Sequence, residues 1–281
     1  MPVRPNVIVI ACLVAAALSA HADQEQIALQ PGATLSLELP ELPPTLWSMH
    51  TEKEDTPRVT VQLPENYSPD REFPLFVWLN GGAGGNGRSA GRGPAIMETR
   101  DFIFVGMPLF QESLDRSTPA NGLFITPDED AETICSAYCA MLTKVYSAVP
   151  NIDTANNVLA GFSNGGHSIA AIVERREQWL LQRFAHYFIV EGGLLLERPE
   201  PLANRNVLFM YGGKEGRNEE LVKAFEAVYE RLVESGAKAE LFVMPETGHK
   251  FPAEFYPQVR DWVGSVTGHE ADADETVPGA D

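Results

Sequence analysis

Gly161-Phe162-Ser163-Asn164-Gly165-Gly166 decides how this chain is read. It follows the apolar run Asn157-Val158-Leu159-Ala160 and precedes Ile169-Ala170-Ala171-Ile172-Val173, whose spacing suits a helix. The order is therefore strand, tight turn, helix, with a serine at the apex. A serine hydroxyl is a weak nucleophile unless it is exposed beside a base. A G-x-S-x-G turn exposes it on a strained backbone, and the flanking glycines let strand and helix approach without a Cβ clash.

Working outward, the later strands read as nearly continuous apolar runs at 74–79, 102–106, 157–161, 187–190, 207–211 and 239–244. Such runs suit a sheet covered on both faces. The segments 33–39 and 58–63 alternate instead, as half-buried strands do. Helical patterns fall at about 92–100, 129–148, 164–182, 217–235 and 253–265, with Asp128 positioned to cap the second and Pro150 just past its end. Alternating β and α predicts an α/β fold, a doubly wound and mostly parallel sheet that begins with antiparallel strands. Only about fifteen residues separate the strands ending near Val190 and starting at Asn206, too few for a large lid domain, so the cleft is expected to be open. The segment Pro108 to Thr126 is expected to form one wall.

The chain has 281 residues. Its opening, Met1-Pro2-Val3-Arg4 followed by apolar residues to Ala20 and then Ala20-His21-Ala22, reads as a signal peptide over 1–22. Lipidation at Cys12 is the weaker reading, because few apolar residues precede it. Cleavage after Ala22 leaves 259 residues, with one large domain over 23–268. The tail 269–281 carries five acidic and no basic residues and is expected to be disordered. A secreted or periplasmic protein is the expectation. The formal charge is −18, with 39 Asp and Glu against 21 Lys and Arg. That surface repels nucleic acid and anionic membranes, so neither is expected as a partner. Export permits a disulfide between Cys135 and Cys139; two small buried residues are the alternative.

A reactive serine needs a histidine base, itself oriented by an acid. Among the histidines after Ser163, His167 lies on the elbow helix, His186 precedes a strand and His269 lies in the tail. His249 instead occupies a loop, Glu246-Thr247-Gly248-His249-Lys250, between the last strand and the last helix, and is the expected base. A glycine-rich stretch, Asn80-Gly81-Gly82-Ala83-Gly84-Gly85-Asn86-Gly87, follows the strand 74–79 and offers bare backbone N–H groups to an oxyanion. It also matches two phosphate-loop patterns, but a lone G-x-G-x-x-G is weak and Arg88 stands where a Walker box needs lysine. No cofactor and no metal are expected, since no H-E-x-x-H or comparable cluster occurs.

Together these segments, with Val61-Gln62-Leu63-Pro64 and Pro150-Asn151-Ile152-Asp153, resemble the α/β-hydrolase superfamily, and within it secreted esterases of the polyhydroxybutyrate-depolymerase and feruloyl-esterase type, over roughly 58–265. The resemblance implies a serine carboxylic ester hydrolase on polyester, acylated polysaccharide or feruloyl-type esters. It also implies the chain order serine, acid, histidine. No aspartate lies between Ser163 and His249, so the acid must be a glutamate. Glu215, after the strand 207–211, fits the expected place, with Glu191 and Glu219 in reserve. Asn164 and Gly82, or Ala83 beside it, are the implied oxyanion donors. Asn80 stands where the family has histidine, and a glutamate where it usually has aspartate. A weakened or inactive homologue acting as a binding protein, and a serine peptidase of the same fold, are the alternatives.

Overall fold

The computed structural model describes residues 29–42, 56–81, 87–98, 101–108, 110, 128–214 and 218–269. The signal-peptide reading, the wall after Pro108, Gly82, Ala83, Glu215 and all of the tail beyond His269 lie outside them. Among the described residues, eight strands form one sheet: β1 Thr34–Glu38, β2 Arg58–Gln62, β3 Leu75–Leu79, β4 Ile103–Met107, β5 Val158–Phe162, β6 His186–Val190, β7 Asn206–Gly213 and β8 Lys238–Pro245. Their order is β1-β2-β4-β3-β5-β6-β7-β8. β1 with β2 and β2 with β4 are antiparallel, and every later pairing is parallel. The chain moves from β3 out to β4 and returns to β5 on the other side of β3. That reversal is a topological switch point at the carboxyl ends of β3 and β5, where ligands bind in open α/β sheets.

Continuous apolar strands are needed because both faces are covered. Leu75, Val77 and Leu79 of β3 point into one core with Ile134, Leu142 and Val145 of α2 (Asp128–Ala148) and Ile169, Ile172 and Val173 of α3 (Asn164–Glu174). The alternate residues Phe76 and Trp78 join the other core, with Ile96 and Met97 of α1 (Gly93–Met97). The same pattern holds for β6, where Tyr187 and Ile189 face one way and Phe188 and Val190 the other. Burying a side chain of this size contributes roughly 2–3 kcal/mol. Two further helices complete the layers: α5 (Glu219–Glu234) on the first face and α6 (Tyr256–Thr267) on the second.

The helix expected over 164–182 is two. α3 ends at Glu174 with Arg175 as its C-cap, Arg176 takes a left-handed φ of 56°, and α4 (Gln178–Leu181) restarts. No glycine or proline marks that break. α2 begins at Asp128 itself. Only loop and a short 3-10 turn, Glu200–Leu202, join β6 to β7, so no lid domain is inserted there.

Cys135 and Cys139 are free thiols, one buried and one half-buried, which is the alternative to the disulfide that export would permit. Residues i and i+4 of a helix carry their Cβ atoms about 5–6 Å apart, beyond the roughly 4 Å a disulfide requires. Burial pushes the Cys135 thiol up to about 12 and that of Cys139 to about 11, so neither is a nucleophile at neutral pH.

Candidate active site

Ser163 ends the run of β5 and heads α3, with φ 53° and ψ −110°. A non-glycine residue held there is strained, and the surrounding backbone enforces it. Its N–H donates to the Val190 carbonyl (2.8 Å), and its own carbonyl accepts from His167 N–H (3.0 Å). The flanking glycines have a measurable reason. A Cβ on Gly161 would lie 2.4 Å from the Gly165 carbonyl carbon, and one on Gly165 would lie 2.1 Å from the Leu79 oxygen. The helix start is thus pressed against the end of β3, beside the glycine-rich loop.

His249 comes from the loop that follows β8. Lys214 N–H donates to the Thr247 carbonyl (3.0 Å) at one end of that loop. At the other, the ring of Phe251 is buried against Trp78, Phe188 and Tyr256. Between these anchors the His249 side chain is 57% exposed. Its Nε2 lies 2.7 Å from Ser163 Oγ.

The acid partner is Glu191. Its Oε2 lies 3.1 Å from His249 Nδ1, and its side chain is fully buried. Glu191 is the first residue past β6 and has a left-handed φ of 56°. Its N–H donates to the Met210 carbonyl (2.9 Å), and Gly212 N–H donates to its Oε1. A carboxylate only accepts, so the proton shared with it belongs to Nδ1, leaving Nε2 to accept from the serine hydroxyl.

The turn that carries Glu191 is locked against the elbow. A Cβ on Gly192 would lie 2.3 Å from the Ser163 oxygen, and Gly193 (φ 79°) donates its N–H to His167 Nδ1 (3.2 Å). His167 is buried; burial first, then the nearby His249, lowers its pKa to about 4, so it stays a neutral acceptor.

No protein-family model matches the chain, and no curated protein matches it. Solved structures do. A ferulic acid esterase superposes with a TM-score of 0.56 at 13% identity, over 85% of this chain and 98% of its own. A thermostable esterase gives 0.52 at 18% identity over 83% of this chain, which spans 62% of that esterase. The dipeptidyl peptidase 4 of Porphyromonas gingivalis gives 0.51 at 13%, over 77% of this chain and 34% of the peptidase. The chain has the α/β-hydrolase fold.

Within that α/β-hydrolase fold the serine and histidine lie where the sequence places them, after β5 and β8, and they meet. Among the described residues, the carboxylate that meets His249 follows β6 rather than β7. Glu191, held in reserve from the sequence, follows β6 and takes the histidine contact assigned to Glu215; Glu215 lies outside the described residues. Glu219 opens α5 and is exposed. Asn164 heads α3 and is buried. Of the glycine loop, Gly81 is described, and its missing Cβ leaves room for the Phe162 ring 2.5 Å away. Asn80, at the head of the glycine loop, accepts a hydrogen bond from Trp78 Nε1 (2.8 Å), which ties the end of β3 to the strand's own core residue. His167 sits on the same helix face as Ser163, four residues on; that spacing was the available signal for its place under the site.

Proposed function

We propose that this protein is a serine hydrolase of carboxylic esters that works through an acyl-enzyme. Ser163 attacks the ester carbonyl as His249 Nε2 takes its proton, and the same imidazolium then protonates the leaving alcohol. Water repeats the sequence and releases the acid. Glu191 holds the imidazole in the required tautomer and stabilises its positive charge while that charge exists. Asn164 N–H and a glycine-loop N–H, at Gly82 or Ala83, bind the oxyanion. The observation that carries this reading is the contact series Ser163 Oγ, His249 and Glu191, at 2.7 and 3.1 Å, on a strained strand-to-helix turn.

The half-exposed histidine supports a cleft open to bulky substrates such as polyesters, acylated polysaccharides or feruloyl conjugates. The ferulic acid esterase neighbour supports the same substrate class. Residues 1–22 support export. Ser163→Ala is expected to lower kcat on p-nitrophenyl acetate by at least ~10⁴-fold with an unchanged circular dichroism spectrum. A fluorophosphonate probe should label the parent protein at Ser163. Turnover retained by the alanine variant would refute the assignment, and turnover of a dipeptidyl nitroanilide but of no ester would move the protein to the peptidases.

A further inference from the structure

His249 is the exposed member of the three, so its ring has little surrounding protein to hold it. One face of the ring meets Phe162, whose centroid lies 5.4 Å away at an interplanar angle of 33°. Phe162 is the residue before the nucleophile, and its ring occupies the space left by the missing Cβ of Gly81. On that ring lies the guanidinium of Arg92, its Cζ 5.5 Å from the centroid. Arg92 Nη1 also donates to the Phe251 carbonyl (2.8 Å), two residues past His249 in the same loop. Its ties among the described residues are to a carbonyl and a ring, not to a carboxylate, although acidic side chains outnumber basic ones nearly twofold.

One planar group therefore reaches both supports of the histidine: the backbone that carries it and the ring it rests on. Guanidinium is suited to this, because it stacks on an aromatic face while donating in its own plane. Lysine can make the hydrogen bond but not the flat stack. We propose that Arg92 is a positioning residue for His249, fixing the histidine loop through Phe251 and the Phe162 ring from its place just before α1. The inference rests on the serine-hydrolase reading above. A misplacement of the base by about 1 Å can cost as much as 100-fold in rate.

The test compares Arg92→Met and Arg92→Lys with the parent on p-nitrophenyl acetate, alongside thermal melts and the rate of fluorophosphonate labelling. Arg92→Met is expected to lower kcat about 10-fold or more with KM within about twofold, and to slow labelling of Ser163 in proportion. Arg92→Lys should recover only part of that loss, and millimolar methylguanidinium should raise kcat of Arg92→Ala. Parent-like kcat in Arg92→Met would overturn the proposal, as would a rise in KM alone, which would make Arg92 a substrate contact. If Arg92→Met does not fold, Arg92→Lys decides: unchanged kcat and labelling overturn the proposal. Absence of labelling in the parent would instead sink the hydrolase reading, and leave this one without an active site to position.

Discussion

The turns that leave β6 and β7 look alike in sequence and do different work. The first reads Val190-Glu191-Gly192-Gly193 and the second Tyr211-Gly212-Gly213-Lys214-Glu215, each a glycine pair with a glutamate within two residues of it. β6 stops at Val190, and the left-handed φ of Glu191 turns its carboxylate inward beneath His249. β7 runs on, staying paired with β8 through Gly212↔Met244 and Gly213↔Pro245. Its glycines serve as clearance: a Cβ on Gly212 would lie 2.1 Å from the Thr247 oxygen and 2.5 Å from that of Gly248. In the first turn the glutamate is delivered and Gly192 clears the serine backbone. In the second, Gly212 clears the histidine loop and donates its N–H to Glu191. The carboxylate that meets His249 and the N–H that supports it thus come from the turns of neighbouring strands.

The largest expected effect breaks this symmetry directly. Glu191→Gln keeps the shape but removes the charge that stabilises the imidazolium and selects its tautomer. Loss of kcat by ~10³–10⁴-fold is expected, the scale known for the equivalent change in a serine protease. If Glu191 is the acid, Glu215→Gln should leave kcat on p-nitrophenyl acetate within about threefold, a change of about 0.5 kcal/mol. The reverse ranking would return the acid role to the β7 turn.

Clearance comes next in size. Gly212→Ala drives a methyl into two backbone oxygens that cannot swing aside, so the 246–249 loop must move. We expect kcat to fall by about 10- to 100-fold and stability by up to about 3 kcal/mol, from urea midpoints. Gly248→Ala is the control in the same loop, because its added Cβ would meet nothing within 4 Å. Equal losses in the two variants would mean that loop flexibility, rather than approach to β7, sets the position of His249.

The sheet was legible because hydrophobic runs report burial on both faces, and burial on both faces is what this topology imposes. Each strand appears within a residue or so of its expected limits except β7, whose Gly212 and Gly213 read as loop. Glycine is a poor strand former, and its use here depends on a loop 35 residues away that local pattern does not encode. Ser163 and His249 were legible because each stands in a local signature, an elbow and a loop between the last strand and helix. The acid had no such signature. Choosing between Glu191 and Glu215 requires knowing which strand stops first, and that is set by pairing with β8. Arg92 was invisible for the same reason, since its partners lie 70 and 159 residues further along.

The smallest effect concerns the acid turn at low pH. Gly193 N–H requires an unprotonated His167 Nδ1, and burial holds the folded pKa near 4, below the ordinary value of 6.5. The unfolded chain takes up a proton as pH falls through 6.5, while the folded protein does not until about 4. Stability is therefore full above 6.5 and declines across that window, by about 2 kcal/mol per such histidine at pH 5. His186 is also buried and lowered to about 4, and adds a comparable decline, but its Nδ1 meets Asn206 at the far end of β6. His167→Gln keeps an acceptor for Gly193 and removes one titration. Its urea midpoint should fall about half as much as the parent's between pH 7.5 and 5. An unaltered decline would mean that protonation of His167 is not what weakens the fold across that window.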